Sequence, residues 1–181
     1  MLKKDLKRFR EITNRSTPNQ PLVILDWISI LSPRFAPMLL FRISFACQRM
    51  RLSPLAKLFS LMNFTFFGIE IAIRCKIGGG LFLPHTQGTV IGAWSIGENA
   101  TIYQGVTIGA KELDFDYSQS SRPTLGQNVL VGAGAIILGG IIIADSTRIG
   151  AQSLVMESLP EGSRAFAARA RHASNPEPEQ P

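Results

Sequence analysis

A six-residue beat restricts this chain more than any other feature. Ile96, Ile102 and Ile108 are followed, after an interruption, by Leu125, Val131, Ile137, Ile143, Ile149 and Val155, every interval inside each block being six. A small or β-branched residue sits two places before most of them: Ala100, Val106, Val129, Ala135, Thr147 and Ser153. Gly97, Gly109, Gly126, Gly132 and Gly150 recur just after. Neither a 3.6-residue helix nor a two-faced alternating strand predicts such a pattern. A three-sided solenoid does, because each hexad supplies one short flat strand and one crowded corner, the large aliphatic pointing inward. Three hexads close one coil. Ile71, Ile77 and Leu83 begin the series and Ile91 leads irregularly into Ile96, so a mainly β parallel solenoid of about four coils is expected over residues 70–160.

The step from Ile108 to Leu125 is seventeen residues, not a multiple of six, so residues 110–123 must leave the coil as a polar loop. Loops extruded from rigid scaffolds commonly carry function, and Asp114, Asp116, Tyr117 and Arg122 are the groups this one can bring to an acceptor site; a solvated loop tip is the plainer reading. Residues 1–69 differ in kind, with Pro33, Pro37 and Pro54 as breakers and stretches such as MLLFRISFACQRM at helical spacing. Several helices are expected there, capping the open apolar end of the first coil. Residues 161–181 end in a charged, proline-rich tail expected to be partly disordered.

Charge and cysteine usage exclude several classes. The net charge of +6 is uneven: residues 1–60 hold eleven Lys and Arg against Asp5, Glu11 and Asp26. These basic residues alternate with Leu, Ile, Phe and Trp, which suits an amphipathic helical layer, and nucleic acid is not an expected partner. Such a layer is also compatible with peripheral contact at the inner face of a membrane. The opening MLKKDLKRFR lacks the apolar run of an export signal, and Leu58 to Ile69, the longest charge-free run of the N-terminal third, is too short to span a bilayer. Cys47 and Cys75 form no framework or thiolate site, so a reduced, cytoplasmic setting is expected. His85 and His172 are the two histidines, too few for a three-histidine zinc site without tail residues, and no metal is expected. His172 reads as an exposed tail residue. His85 stands at a solenoid corner, where a side chain projects outward, as a surface histidine or as a functional one.

The segment GIEIAIRCKIGGGLFLPHTQGTVIG, followed by GVTIGA and VGAGAIILGG, resembles the hexapeptide-repeat acyltransferases of the serine O-acetyltransferase branch over about residues 38–160. The resemblance implies a left-handed parallel β-helix, a homotrimer and acetyl-CoA as co-substrate. It also implies that His85 is the catalytic base with Glu70 as its acidic partner, glutamate standing where the family usually has aspartate. A neutral imidazole can take the proton of an alcohol as it attacks a thioester, while a carboxylate steadies the imidazolium. Acetyl-CoA would lie beside Ala110, Gly132, Ala133, Gly134 and Ala151, with Arg148 and Arg164 near its phosphates.

Two departures bear on the acceptor. Pro84 occupies the place of the acidic residue that precedes the catalytic histidine in the serine-specific enzymes, and Ser121-Arg122-Pro123 replaces an Arg-His-Pro step. A site that loses a charged contact loses discrimination for the substrate that carried it. The expected reaction is therefore acetyl transfer to a hydroxyl of a small or lipid-linked saccharide in surface polysaccharide assembly. Serine acetylation for cysteine synthesis and a non-catalytic hexapeptide scaffold are the alternatives.

Overall fold

The structure, a computed structural model, describes residues 1–14 and 32–168; Asp26, His172 and the tail from 169 lie outside the described residues. Among these residues the chain begins with helices α1 (Leu2–Asn14), α2 (Ala36–Arg49) and α3 (Ser53–Phe67). Pro37 and Pro54 sit in the first turns of α2 and α3, where a missing N–H costs nothing. Gly68 stops α3 in the left-handed conformation at φ 60°, its N–H reaching back to the Phe64 carbonyl.

Thirteen short strands follow and stack into three parallel sheets, the faces of a left-handed β-helix. Face A holds β1 (Ile69–Ile71), β3 (Thr89–Ile91), β6 (Thr107–Gly109), β9 (Ile136–Leu138) and β12 (Leu154–Val155). Face B holds β2 (Lys76–Ile77), β4 (Ser95–Ile96), β7 (Thr124–Leu125) and β10 (Ile142–Ile143). Face C holds β5 (Thr101–Ile102), β8 (Leu130–Val131), β11 (Arg148–Ile149) and β13 (Arg164–Ala165). Strand β13 lies five residues past the boundary at 160 set by the repeat, because a further partial coil pairs Arg164 with Arg148.

The hexad aliphatics form the interior. Ile71, Ile91, Ile108, Ile137 and Val155 stack in register behind face A. Ile77, Ile96, Leu125 and Ile143 do so behind face B, and Ile102, Val131 and Ile149 behind face C. All are buried, each worth about 1.5–3 kcal/mol of removed apolar surface. The recurrent glycines answer to crowding between coils: a Cβ on Gly132 would lie 2.6 Å from the Ala151 nitrogen one coil away.

Partner strands on successive coils are eighteen residues apart at Leu130 and Arg148, but twenty-nine at Ser95 and Thr124. The eleven extra residues are the extruded loop, which leaves between faces A and B. At the N-terminal end, α1 and α2 are tied to the first coil by a buried ion pair. Asp5 accepts from Arg42 Nε at 2.9 Å and Nη2 at 3.1 Å, and from the Gly80 N–H at 2.6 Å. Arg42 also donates to the Ile77 carbonyl at 2.6 Å and to Gly78.

Candidate active site

Two irregularities in the beat place the functional side chains. From Leu83 to Ile91 the chain takes eight residues instead of six, and the surplus falls at the edge between faces C and A. The step Pro84-His85-Thr86-Gln87-Gly88 is therefore longer than the corners stacked on it, and His85 and Gln87 are exposed. The Thr86 hydroxyl, donating to Phe67 O at 2.8 Å, and the Gly88 N–H, donating to Gly68 O at 2.9 Å, hold this segment against the end of α3. His85 shares with Pro33, Arg34, Pro84, Thr86 and Gln87 the lining of a cleft of about 200 Å³.

Below His85 the same edge continues as a column of backbone. The Gly105 N–H donates to Gln87 O at 3.0 Å, Gly134 to Gln104 O at 2.9 Å, and Gln152 to Ala133 O at 2.9 Å. At ~4.8 Å per coil, the path from His85 to Ala151 covers about 14 Å. Gly132, Ala133, Gly134 and Ala151 carry nothing longer than a methyl, and the Gln152 side chain lies over Gly134. Gly132 itself answers to the packing of coils, since its Cβ would meet the Ala151 backbone at 2.6 Å, and the small residues of this stretch leave backbone amides that suit a thin chain such as the pantetheine arm. Arg148 and Arg164 are adjacent in register on neighbouring face C, both exposed. Ala110 does not belong to this column: it follows β6, where the loop departs at the opposite border of face A.

Glu70 lies at the centre of β1, exposed and in register with Val90. Both Glu70 and His85 stand on the first coil, but among the described residues neither has a hydrogen-bond partner, so the two side chains are not engaged here. A catalytic contact of this kind commonly forms only with substrate present.

The loop residues form a cluster of their own. Arg122 Nε pairs with Asp114 Oδ2 at 2.7 Å, and its other nitrogens donate to Gly92 O at 2.9 Å and Asp114 O at 3.2 Å. The guanidinium lies 4.0 Å from the Tyr117 ring centroid, and the buried Tyr117 hydroxyl donates to Ala93 O at 2.6 Å. Desolvation raises the Asp114 carboxyl, but hydrogen bonds from Arg122 and the Ser118 N–H outweigh it and hold its pKa below the ordinary value. Burial raises the Tyr117 phenol, and it pushes the Cys75 thiol up to about 12 against the opposing influence of Tyr117, Arg122 and Arg42. Asp114, Tyr117 and Arg122 are thus engaged in clamping the loop to the edge between faces A and B, across face A from His85. Asp116 is exposed, between Tyr117 and the exposed Phe115.

Sequence reasoning missed two residues. Arg34 precedes α2 and meets the His85 cleft only through folding. Gln104, one coil below Gln87, has a buried Oε1 without a partner. The signal available for this edge was the irregular step into Ile91.

Comparison with known proteins agrees with this fold. Residues 122–156 match the family described as bacterial transferase hexapeptide (six repeats). A serine acetyltransferase of Helicobacter pylori strain J99 is 40% identical over 145 residues, 80% of this chain and 83% of that protein. One from Synechococcus elongatus is 38% identical over 129 residues, 71% of this chain and 52% of its own length. Among solved structures, Neisseria gonorrhoeae serine acetyltransferase in complex with serine superposes with a TM-score of 0.75 at 26% identity, over 94% of this chain and 67% of that one.

Proposed function

This chain belongs to the serine acetyltransferase family of hexapeptide-repeat acyltransferases, and we propose that it transfers acetyl from acetyl-CoA to the hydroxyl of a small acceptor, serine being the first choice. The observation that carries this reading is the single edge that aligns His85 with the small residues Gly132, Ala133, Gly134 and Ala151. Acetyl-CoA lies along that column with its phosphates toward Arg148 and Arg164. His85 takes the acceptor's hydroxyl proton as the oxygen attacks the thioester carbonyl carbon, and Glu70 steadies the resulting imidazolium. The tetrahedral oxyanion is met by a backbone N–H of the edge. Its collapse breaks the carbon–sulfur bond, and the CoA thiolate recovers the proton from His85.

The relatives favour serine over the saccharide expected from the sequence, and so does Arg34, a lining residue of the His85 cleft whose charge suits a carboxylate. One observation keeps a saccharide hydroxyl as the second reading: Pro84 offers no charge beside His85, and Arg122 is already committed to Asp114. Asp114, Tyr117 and Arg122 are held across face A from His85 of their own chain, so any part for this loop at the acceptor would come through a neighbouring copy, as in a homotrimer with its clefts between subunits. The need for acetyl-CoA fits a cytoplasmic setting.

The test is thiol release from acetyl-CoA with serine, free sugars or lipid-linked oligosaccharides in parallel. Turnover on serine supports the first reading; turnover on sugars alone moves the assignment to the second. In either case His85→Ala should lower turnover by about 10²–10⁴ with CoA binding retained. An unchanged rate would remove His85 from the mechanism.

A further inference from the structure

Helix α3 carries a run of exposed apolar side chains. Ala56 and Asn63 are its buried positions, Asn63 donating to Pro37 O on α2. On the opposite side Leu58 and Leu61 are 49% and 58% exposed, flanked by Leu55 at 45%, Phe64 at 62% and Phe66 at 68%. At 100° per residue Leu58 and Leu61 occupy the centre of this outward face, with Lys57 on one flank, and Arg51 lies in the turn that precedes the helix. Both cations are exposed, and so are Arg49 and the 68%-exposed Met50 beside them. Residues 27–69 contain Arg34, Arg42, Arg49, Arg51 and Lys57 and not one Asp or Glu.

We propose that this face of α3 rests on an anionic lipid surface, its leucines and phenylalanines in the headgroup boundary and Arg49, Arg51 and Lys57 on lipid phosphates. An apolar centre whose charged neighbours within residues 27–69 are all cations is complementary to a negative interface. A second copy docked face to face on the same helix about a twofold axis would bring like charges together with no carboxylate of residues 27–69 to neutralise them. No helix among the described residues is long and apolar enough to cross a membrane, so contact is in the plane of the surface. The proposal does not depend on which hydroxyl is acetylated.

The experiment is co-sedimentation of the full chain with vesicles of phosphatidylglycerol and phosphatidylcholine, or of phosphatidylcholine alone, at low and high salt. The wild type is expected to bind the anionic vesicles at least ~tenfold more strongly than the neutral ones, and less strongly at high salt. Leu58→Gln with Leu61→Gln should reduce that binding by at least ~tenfold while acetyl transfer to a soluble acceptor and the mass in solution stay unchanged. Arg51→Glu with Lys57→Glu should abolish the preference for anionic lipid. Absence of vesicle binding, or binding that the double glutamine variant retains, overturns the proposal. A lower mass for that variant assigns the face to contact between copies and overturns it equally.

Discussion

Asp5→Ala removes the single carboxylate that joins α1, α2 and the first coil. The Asp5 side chain has no exposure and that of Arg42 10%. Its loss leaves the guanidinium with the Ile77 and Gly78 carbonyls as acceptors and strips the Gly80 N–H of its only acceptor. Breaking a buried pair by deleting one partner costs about 3–5 kcal/mol, and because Arg42 keeps two carbonyls the lower end, about 3 kcal/mol, applies. In a solenoid each coil contacts chiefly its neighbours, so the loss should fall on the N-terminal cap and first coil and only weakly on the last coils. At 1.4 kcal/mol per decade, opening of the first coil becomes on the order of 100-fold more frequent. Amide hydrogen exchange measures it: Gly80 and Phe82 should exchange about 100-fold faster in the variant, while Ile137 and Gly150 change little. Equal acceleration along all coils would refute the nearest-neighbour reasoning. A change below about threefold at Gly80 would refute the weight given to the ion pair.

Gly132→Ala should lower stability by about 1–3 kcal/mol, seen as a thermal midpoint several degrees lower, and should weaken CoA binding by calorimetry, because the new methyl meets the Ala151 backbone at 2.6 Å. The clamp of Asp114 on Arg122 should loosen in acid: with the folded pKa below the unfolded one, its contribution is complete above the ordinary carboxylate range and lost as pH falls through the folded value. Emission of Trp94, whose ring centroid is 6.3 Å from that of Tyr117, should follow that transition, and Asp114→Asn should flatten it. Cys75, fully buried and with its thiol pushed up to about 12, should resist alkylation at pH 8 in the folded protein while Cys47 reacts. Two labelled thiols without denaturant would contradict that environment.

The parts legible in the sequence were those encoded at short range. Each hexad carries its own inward aliphatic and its own corner, so Ile96, Leu125 and Ile143 announced their stacking without any knowledge of distant contacts. The seventeen-residue step announced the loop, whereas the eight-residue step from Leu83 to Ile91 acquired its meaning, a lengthened corner that exposes His85, only from the structure. The purpose of Arg122 was not legible. A lone arginine beside a proline is equally suited to gripping a substrate carboxylate or to clamping its own loop, and only the positions of Asp114, Gly92 and Tyr117 decide.

Periodicity by itself determined a three-sided coil, its interior residues and the point at which a loop must leave, because a solenoid is built from contacts whose sequence separation repeats. Tertiary structure alone decided what meets across unequal separations. It brought Asp5 to Arg42 and Gly80, laid Arg34 beside His85, and assigned His85 and the loop to different edges of the prism. The physical reason is that these meetings depend on how the helical cap seats on the first coil and on which border of a face each segment leaves, and neither has a period to read.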